Sequence, residues 1–127
     1  MKVNAQALAI ISGRQSISVE LRMQALGVKH IYQNQPDKLK AFNVLKNKLK
    51  LTNNQIAHMG DDLTDLPIFN QVGLSIAVAD SDEFTKKHAN YITKKSGGNG
   101  AVREACELIM QAQNTLADMR ARYLIIP

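Results

Sequence analysis

Three carboxylates fall within five residues at Asp61, Asp62 and Asp65, directly after a short apolar stretch and Gly60. Like charges this close repel unless a cation or hydrogen-bond donors satisfy them, and carboxylate oxygens are the ligands Mg²⁺ prefers. Asp61 and Asp62 are the expected metal carboxylates, with Asp61 nearest the end of the stretch. Asp65 is placed to hold a metal-bound water or to orient a lysine. The competing reading is an N-cap cluster for the helix that follows. Lys38 stands one residue after Asp37 in the first turn of a helix, where the macrodipole disfavours a cation. A nearby anion would account for it, although any single lysine can simply be exposed. Ser12-Gly13-Arg14 combines a hydroxyl, a small residue and the approach to a helix N-terminus, a combination that suits phosphate. A serine there also serves as a cap or turn residue.

The remaining signals are weaker. The loop Gly97-Gly98-Asn99-Gly100 lacks the spacing of a nucleotide fingerprint. Arg103 and Glu104 follow it in the first turn of a helix, within reach of a ligand or of a surface ion pair. His30, His58 and His88 show no metal-ligand spacing, and His58 reads as packed or hydrogen-bonded within a strand. Cys106 reads as a core residue.

These residues need elements to hold them. Residues 7–11 (ALAII) read as a buried strand running into the Ser12 turn. A helix over 16–26 repeats apolar residues at Ile17, Leu21 and Leu26 and stops at Gly27, and residues 30–32 form a second strand. Pro36 and Asp37 open a helix with Leu39, Phe42, Leu45 and Leu49 on one face and Lys40, Lys46, Lys48 and Lys50 mostly on the other. Residues 55–59 make a third strand, and a short helix follows with Pro67 in its first turn and a stop near Gly73. Residues 74–79 are a fourth strand, 81–88 a brief helix and 90–93 a fifth strand. A last helix carries Val102, Cys106, Ile109 and Leu116 near one stripe. Strands alternating with helices at this spacing imply a parallel sheet, whose ligands gather at the carboxyl ends of the strands. Ser12 and Asp61 both follow strands.

Composition bounds the rest. A chain of 127 residues with 45% hydrophobic content makes one domain. The formal net charge of +5 favours anionic ligands in general. Nucleic acid is a poor partner, because the lysines are dispersed and only three Tyr and three Phe are present for stacking. One cysteine excludes an internal disulfide, and no apolar run approaches the ~20 residues that span a bilayer. With no signal peptide at its start, the chain is expected in the cytoplasm.

In this order Ser12, Lys38, then Gly60-Asp61-Asp62 with Asp65, the chain resembles the haloacid dehalogenase superfamily from its second motif onward. IISGR, LGVKHIYQNQPDKLKAF, MGDDLTDLPIFNQVGLSIAVADS and GGNGAVREACELI are similar to the 3-deoxy-D-manno-octulosonate 8-phosphate phosphatases of lipopolysaccharide synthesis. The resemblance covers about residues 9–116. It implies an α/β, Rossmann-like three-layer sandwich with a mainly parallel sheet, Mg²⁺ as cofactor, a small phosphorylated sugar acid as substrate, and a homotetramer in the full-length form. It gives Ser12, with Gly13, the transferring phosphoryl group, and Lys38 the stabilisation of that group and of the nucleophile. Asp61 receives Mg²⁺, with Asp62 and Asp65 completing the acidic motif. Arg14, Arg103 and the glycine loop contribute to substrate recognition.

The family's nucleophile is the first residue of an Asp-x-Asp pair upstream of the Ser12 motif, on a strand in the middle of the sheet. Residues 1–11 hold no acidic residue, and Asp80 and Asp82 have the spacing but follow a later strand. The expectation is a single domain over 1–127, incomplete at its N-terminus and inactive alone. The alternative is a non-catalytic phosphatase-like module for ligand binding or oligomerisation. The ending YLIIP, after Arg120 and Arg122, reads equally as a contact for a neighbouring subunit and as a frayed or locally packed tail.

Overall fold

Strands and helices alternate through the whole of a computed structural model, which describes residues 8–112. Strand β1 (Ala9–Ile11) passes through helix α1 (Ile17–Ala25) to β2 (His30–Tyr32). Helix α2 (Lys38–Leu49) leads to β3 (Ala57–Gly60), and α3 (Leu66–Phe69) leads to β4 (Leu74–Ala77). Helix α4 (Glu83–Lys87), β5 (Tyr91–Ile92) and α5 (Ala101–Ala112) complete the order. Every strand pair is parallel. The strands form two sheets, β1 with β2 and β3-β4-β5, where the sequence suggested one. The division has a simple cause: among the described residues β1 and β3 each bond to a single strand, and no strand joins their other edges. Helix α2 spans the division, touching β1 as well as α3 and the turn before α3.

Local chemistry sets the element ends. Ser16 accepts the Val19 N–H and starts α1, and Asp37 accepts the Lys40 N–H and starts α2. Lys50 closes α2 in the left-handed region at φ 56°. Asp82 accepts the N–H and the hydroxyl of Thr85 at the start of α4. The core lies where α2 and α3 pack: Ala41, Phe42 and Leu45 meet Ile68 and Phe69, and the middle strand of the larger sheet adds Ile76 and Ala77. Three of the four residues of β4 are buried, as expected for a strand covered on both faces.

Two apolar stripes differ from expectation. Ile17, Leu21 and Leu26 recur with helical spacing, yet they are 72%, 60% and 69% exposed, and α1 buries none of its residues. In α5 the buried positions are Ala101 and Ala105, while Val102 and Cys106 are exposed. The burial is one residue out of phase with the large side chains, because alanine lets the helix approach closely. Cys106 is therefore not a core residue. Ala7 of the first strand, Leu116 of the last helix and residues 120–127 lie outside the described residues.

Ile68 has no exposed surface and sits beside the acidic turn. Ile68→Ala should lower unfolding free energy by about 2–5 kcal/mol in a denaturant titration. A loss below about 1 kcal/mol would mean that this contact is not a core contact.

Candidate functional site

The acidic turn starts from the alternation of side chains along β3. His58 and Gly60 share one face of the strand, two residues apart. After Asp62 the chain makes one 3-10 turn over Leu63–Asp65, which folds Asp65 back beneath Gly60. A Cβ on Gly60 would collide with the carboxyl carbon and Oδ2 of Asp65, so only glycine fits there.

Asp65 is 1% exposed, and its carboxylate has four donors. Oδ2 accepts the backbone N–H groups of Asp61 at 3.0 Å and Asp62 at 3.1 Å. Oδ1 accepts Lys38 Nζ at 3.1 Å and faces His58 Nε2 at 2.9 Å. Burial pushes the Asp65 carboxyl upward, but the His58 hydrogen bond and the charge of Lys38 outweigh it and hold the group below the usual carboxylate value. The anion that justifies a lysine at the start of α2 is therefore Asp65.

The three acids divide the work. Asp62 caps the 3-10 turn, its Oδ1 accepting the Leu63 N–H at 2.7 Å. Asp65 is filled by its four donors, so it orients Lys38 and has no lone pair left for a metal-bound water. Asp61 is exposed at the carboxyl end of β3, and its carboxylate accepts no hydrogen bond among the described residues. It lines a cavity of about 310 Å³ with Met59, Gly60, Val78, the three glycines of the 97–100 loop and the first two residues of α5. A free carboxylate in that position fits Mg²⁺, which keeps several waters and takes one or two carboxylates. No group of three or more His, Cys, Asp or Glu gathers as a metal cluster among the described residues. The expectation of Asp62 as a metal carboxylate meets a competing duty, since one of its oxygens is occupied by the cap.

Ser12 follows β1 at the corresponding end of the smaller sheet. Its Oγ accepts the Arg14 N–H at 3.1 Å, which leaves the hydroxyl proton to donate. Its N–H donates to Tyr32 O and its carbonyl accepts from Gln35, so the turn is fixed to the end of β2. The helix N-terminus expected at Ser12 lies further on: Ser16 caps α1 and Val19 satisfies it. Gly13 has room for a Cβ at 3.6 Å from Gln35 O, so no close backbone approach depends on it there. Arg14 is exposed.

The glycine loop reaches the site and Arg103 does not. Gly97 N–H donates to Asp80 Oδ1 at 2.9 Å, tying the loop to the turn after β4. Arg103 turns to Glu107, with Nε 3.4 Å from Oε1, and lines a separate cavity of about 510 Å³ with Tyr91, Lys95 and Glu104. Glu104 accepts the N–H groups of Lys94 and Lys95 and the Tyr91 hydroxyl, so it holds the loop rather than facing a ligand. Those backbone donors and the tyrosine keep its carboxyl below the usual value. His58 was legible only as packed or hydrogen-bonded; its two-residue spacing from Gly60 is the signal that it faces Asp65.

No helix among the described residues is long and apolar enough to cross a membrane. Asp65→Asn should destabilise the chain by about 1–3 kcal/mol at neutral pH. Because the folded carboxyl titrates below its unfolded value, its stabilisation is fully present above about pH 4 and is lost as pH falls through the lower folded value. The difference between native chain and variant should therefore shrink in denaturant titrations below about pH 4, and a difference independent of pH would contradict the ion pair.

The profile of the haloacid dehalogenase-like hydrolases matches residues 7–104. The 3-deoxy-D-manno-octulosonate 8-phosphate phosphatase of Escherichia coli K12 is 44% identical over 115 residues, covering 91% of this chain and 61% of that protein. The phosphatase of the same name from Yersinia pestis is 48% identical over 109 residues, covering 86% and 58%. The chain thus spans about three fifths of the length of these relatives. The Moraxella catarrhalis phosphatase of that name, solved with magnesium ion, phosphate ion and a KDO molecule, superimposes with a TM-score of 0.89 at 46% identity, over 92% of this chain and 67% of that one. Family profile, sequence and fold agree: the chain belongs to the haloacid dehalogenase-like hydrolases, beside their 3-deoxy-D-manno-octulosonate 8-phosphate phosphatases.

Proposed function

We propose that this chain carries the phosphate-binding and metal-binding part of a Mg²⁺-dependent phosphatase that hydrolyses 3-deoxy-D-manno-octulosonate 8-phosphate to the sugar acid and phosphate. The observation that carries the reading is the Lys38–Asp65 pair beside a free Asp61. A lysine ammonium has three N–H donors, and here one points to Asp65. The other two serve a phosphoryl oxygen, and Ser12 donates its hydroxyl to another. Phosphoryl transfer depends on positioning and on neutralising the equatorial oxygens, and these side chains supply that at fixed places. Asp61, with help from Asp62, would hold Mg²⁺, which would supply a further positive charge to the phosphoryl group. The glycines of the 97–100 loop line the same cavity as Asp61.

The attacking carboxylate belongs to a strand between β1 and β3. Support comes from the two parallel sheets, each with an unpaired edge at that position, and from α2 packing across the division. The working form is a cytoplasmic homotetramer, a reading supported by the resemblance and by the exposed apolar residues of α1. The similarity to relatives named for this substrate supports the choice of sugar acid.

Phosphate release from 3-deoxy-D-manno-octulosonate 8-phosphate with Mg²⁺ tests the reading. Joining an upstream apolar strand that bears the Asp-x-Asp pair should produce turnover, and the 127-residue chain should give none. Lys38→Ala in the joined enzyme should lower kcat by about 10²–10³-fold, the effect of losing one donor to the developing charge. Turnover by the 127-residue chain, or none after joining, would overturn the reading.

A further inference from the structure

His58 is the one titratable side chain at the acidic turn without a role in the reading above. It is not a surface histidine: its side chain is 14% exposed, and its ring stands edge-on to buried Phe69, with centroids 5.9 Å apart at 68°. The strand directs it to the face that Gly60 leaves open for Asp65. An ionised carboxylate only accepts, so the 2.9 Å contact requires a proton on His58 Nε2. Lys38 reaches the same oxygen from α2.

We infer that His58 is a positioning residue for Lys38, acting through Asp65. Each Asp65 oxygen has two donors, and His58 is the second donor on Oδ1. With it in place, one N–H of Lys38 completes the carboxylate, and the ammonium rests at a fixed point with two donors free. Without it, Oδ1 has lost half its hydrogen bonding inside a buried site, and the carboxylate and the ammonium rearrange together. Phe69 sets the plane of the imidazole, so the alignment depends on packing as well as on the hydrogen bond.

The inference rests on the phosphatase reading only for the use made of Lys38, and its test needs no turnover. Acylation of lysines in the unliganded 127-residue chain is followed by peptide mass spectrometry, with exposed Lys40 and Lys48 of α2 as internal standards. His58→Phe should raise the rate at Lys38, relative to the standards, by about fivefold, as loss of one ordinary hydrogen bond allows. His58→Gln, which keeps a side-chain N–H donor, should return the ratio toward that of the native chain. Equal ratios in all three proteins would overturn the inference. The ¹H–¹⁵N imidazole spectrum of the native chain decides independently, including the case where His58→Phe does not fold. A protonated, slowly exchanging Nε2 whose signal shifts in Asp65→Asn is expected, and an unprotonated Nε2 would overturn it. Phosphatase failure after joining the upstream strand would sink the functional reading and leave these results unaffected.

Discussion

A buried carboxylate is costly unless each of its oxygens is satisfied, and at Asp65 four donors converge to do so. Two come from the backbone of its own turn, one from β3 and one from the first residue of α2. That single requirement explains several residues at once. Gly60 must lack a Cβ for the carboxylate to lie under the strand, and Lys38 must stand at a helix start that the macrodipole makes unfavourable for it. It also ties the larger sheet to α2, which in turn touches the smaller sheet.

The same constraint assigns the acids. With Asp65 filled and Asp62 capping its turn, Asp61 is the carboxylate left to face the cavity. A cluster that looks uniform in the sequence is thus one hub, one cap and one carboxylate that accepts no hydrogen bond among the described residues. The hub pairs Lys38 with Asp65. A phosphate site needs that separation of roles: cations to meet the anion, and a carboxylate free to hold the metal.

Much of this was legible in the sequence where a local rule carried it. Asp37 as a cap, Phe42 and Leu45 on the buried face of α2, and the order of strands and helices follow from capping and periodicity. The choice of Asp65 as the residue that orients Lys38 also emerges as one of two duties foreseen for it. What failed depended on distance partners. Ile17, Leu21 and Leu26 have the spacing of a buried stripe, but no described element covers them, and spacing says nothing about what lies opposite. In α5 the contact is made through Ala101 and Ala105, whose small side chains register weakly beside Val102 and Cys106. For Arg103, by contrast, the surface ion pair open to it in the sequence is what forms, with Glu107 four residues along the same helix. His58 gave no metal spacing, and its partner is a carboxylate that only the fold brings near.

The coupling between Lys38 and Asp65 measures the hub most directly. In a double-mutant cycle on unfolding free energy, Lys38→Met and Asp65→Asn should interact by at least about 1 kcal/mol, because each single change strands the other partner in a largely buried site. Additivity within about 0.5 kcal/mol would show that the pair is incidental, and the organisation of the site around Asp65 would be wrong.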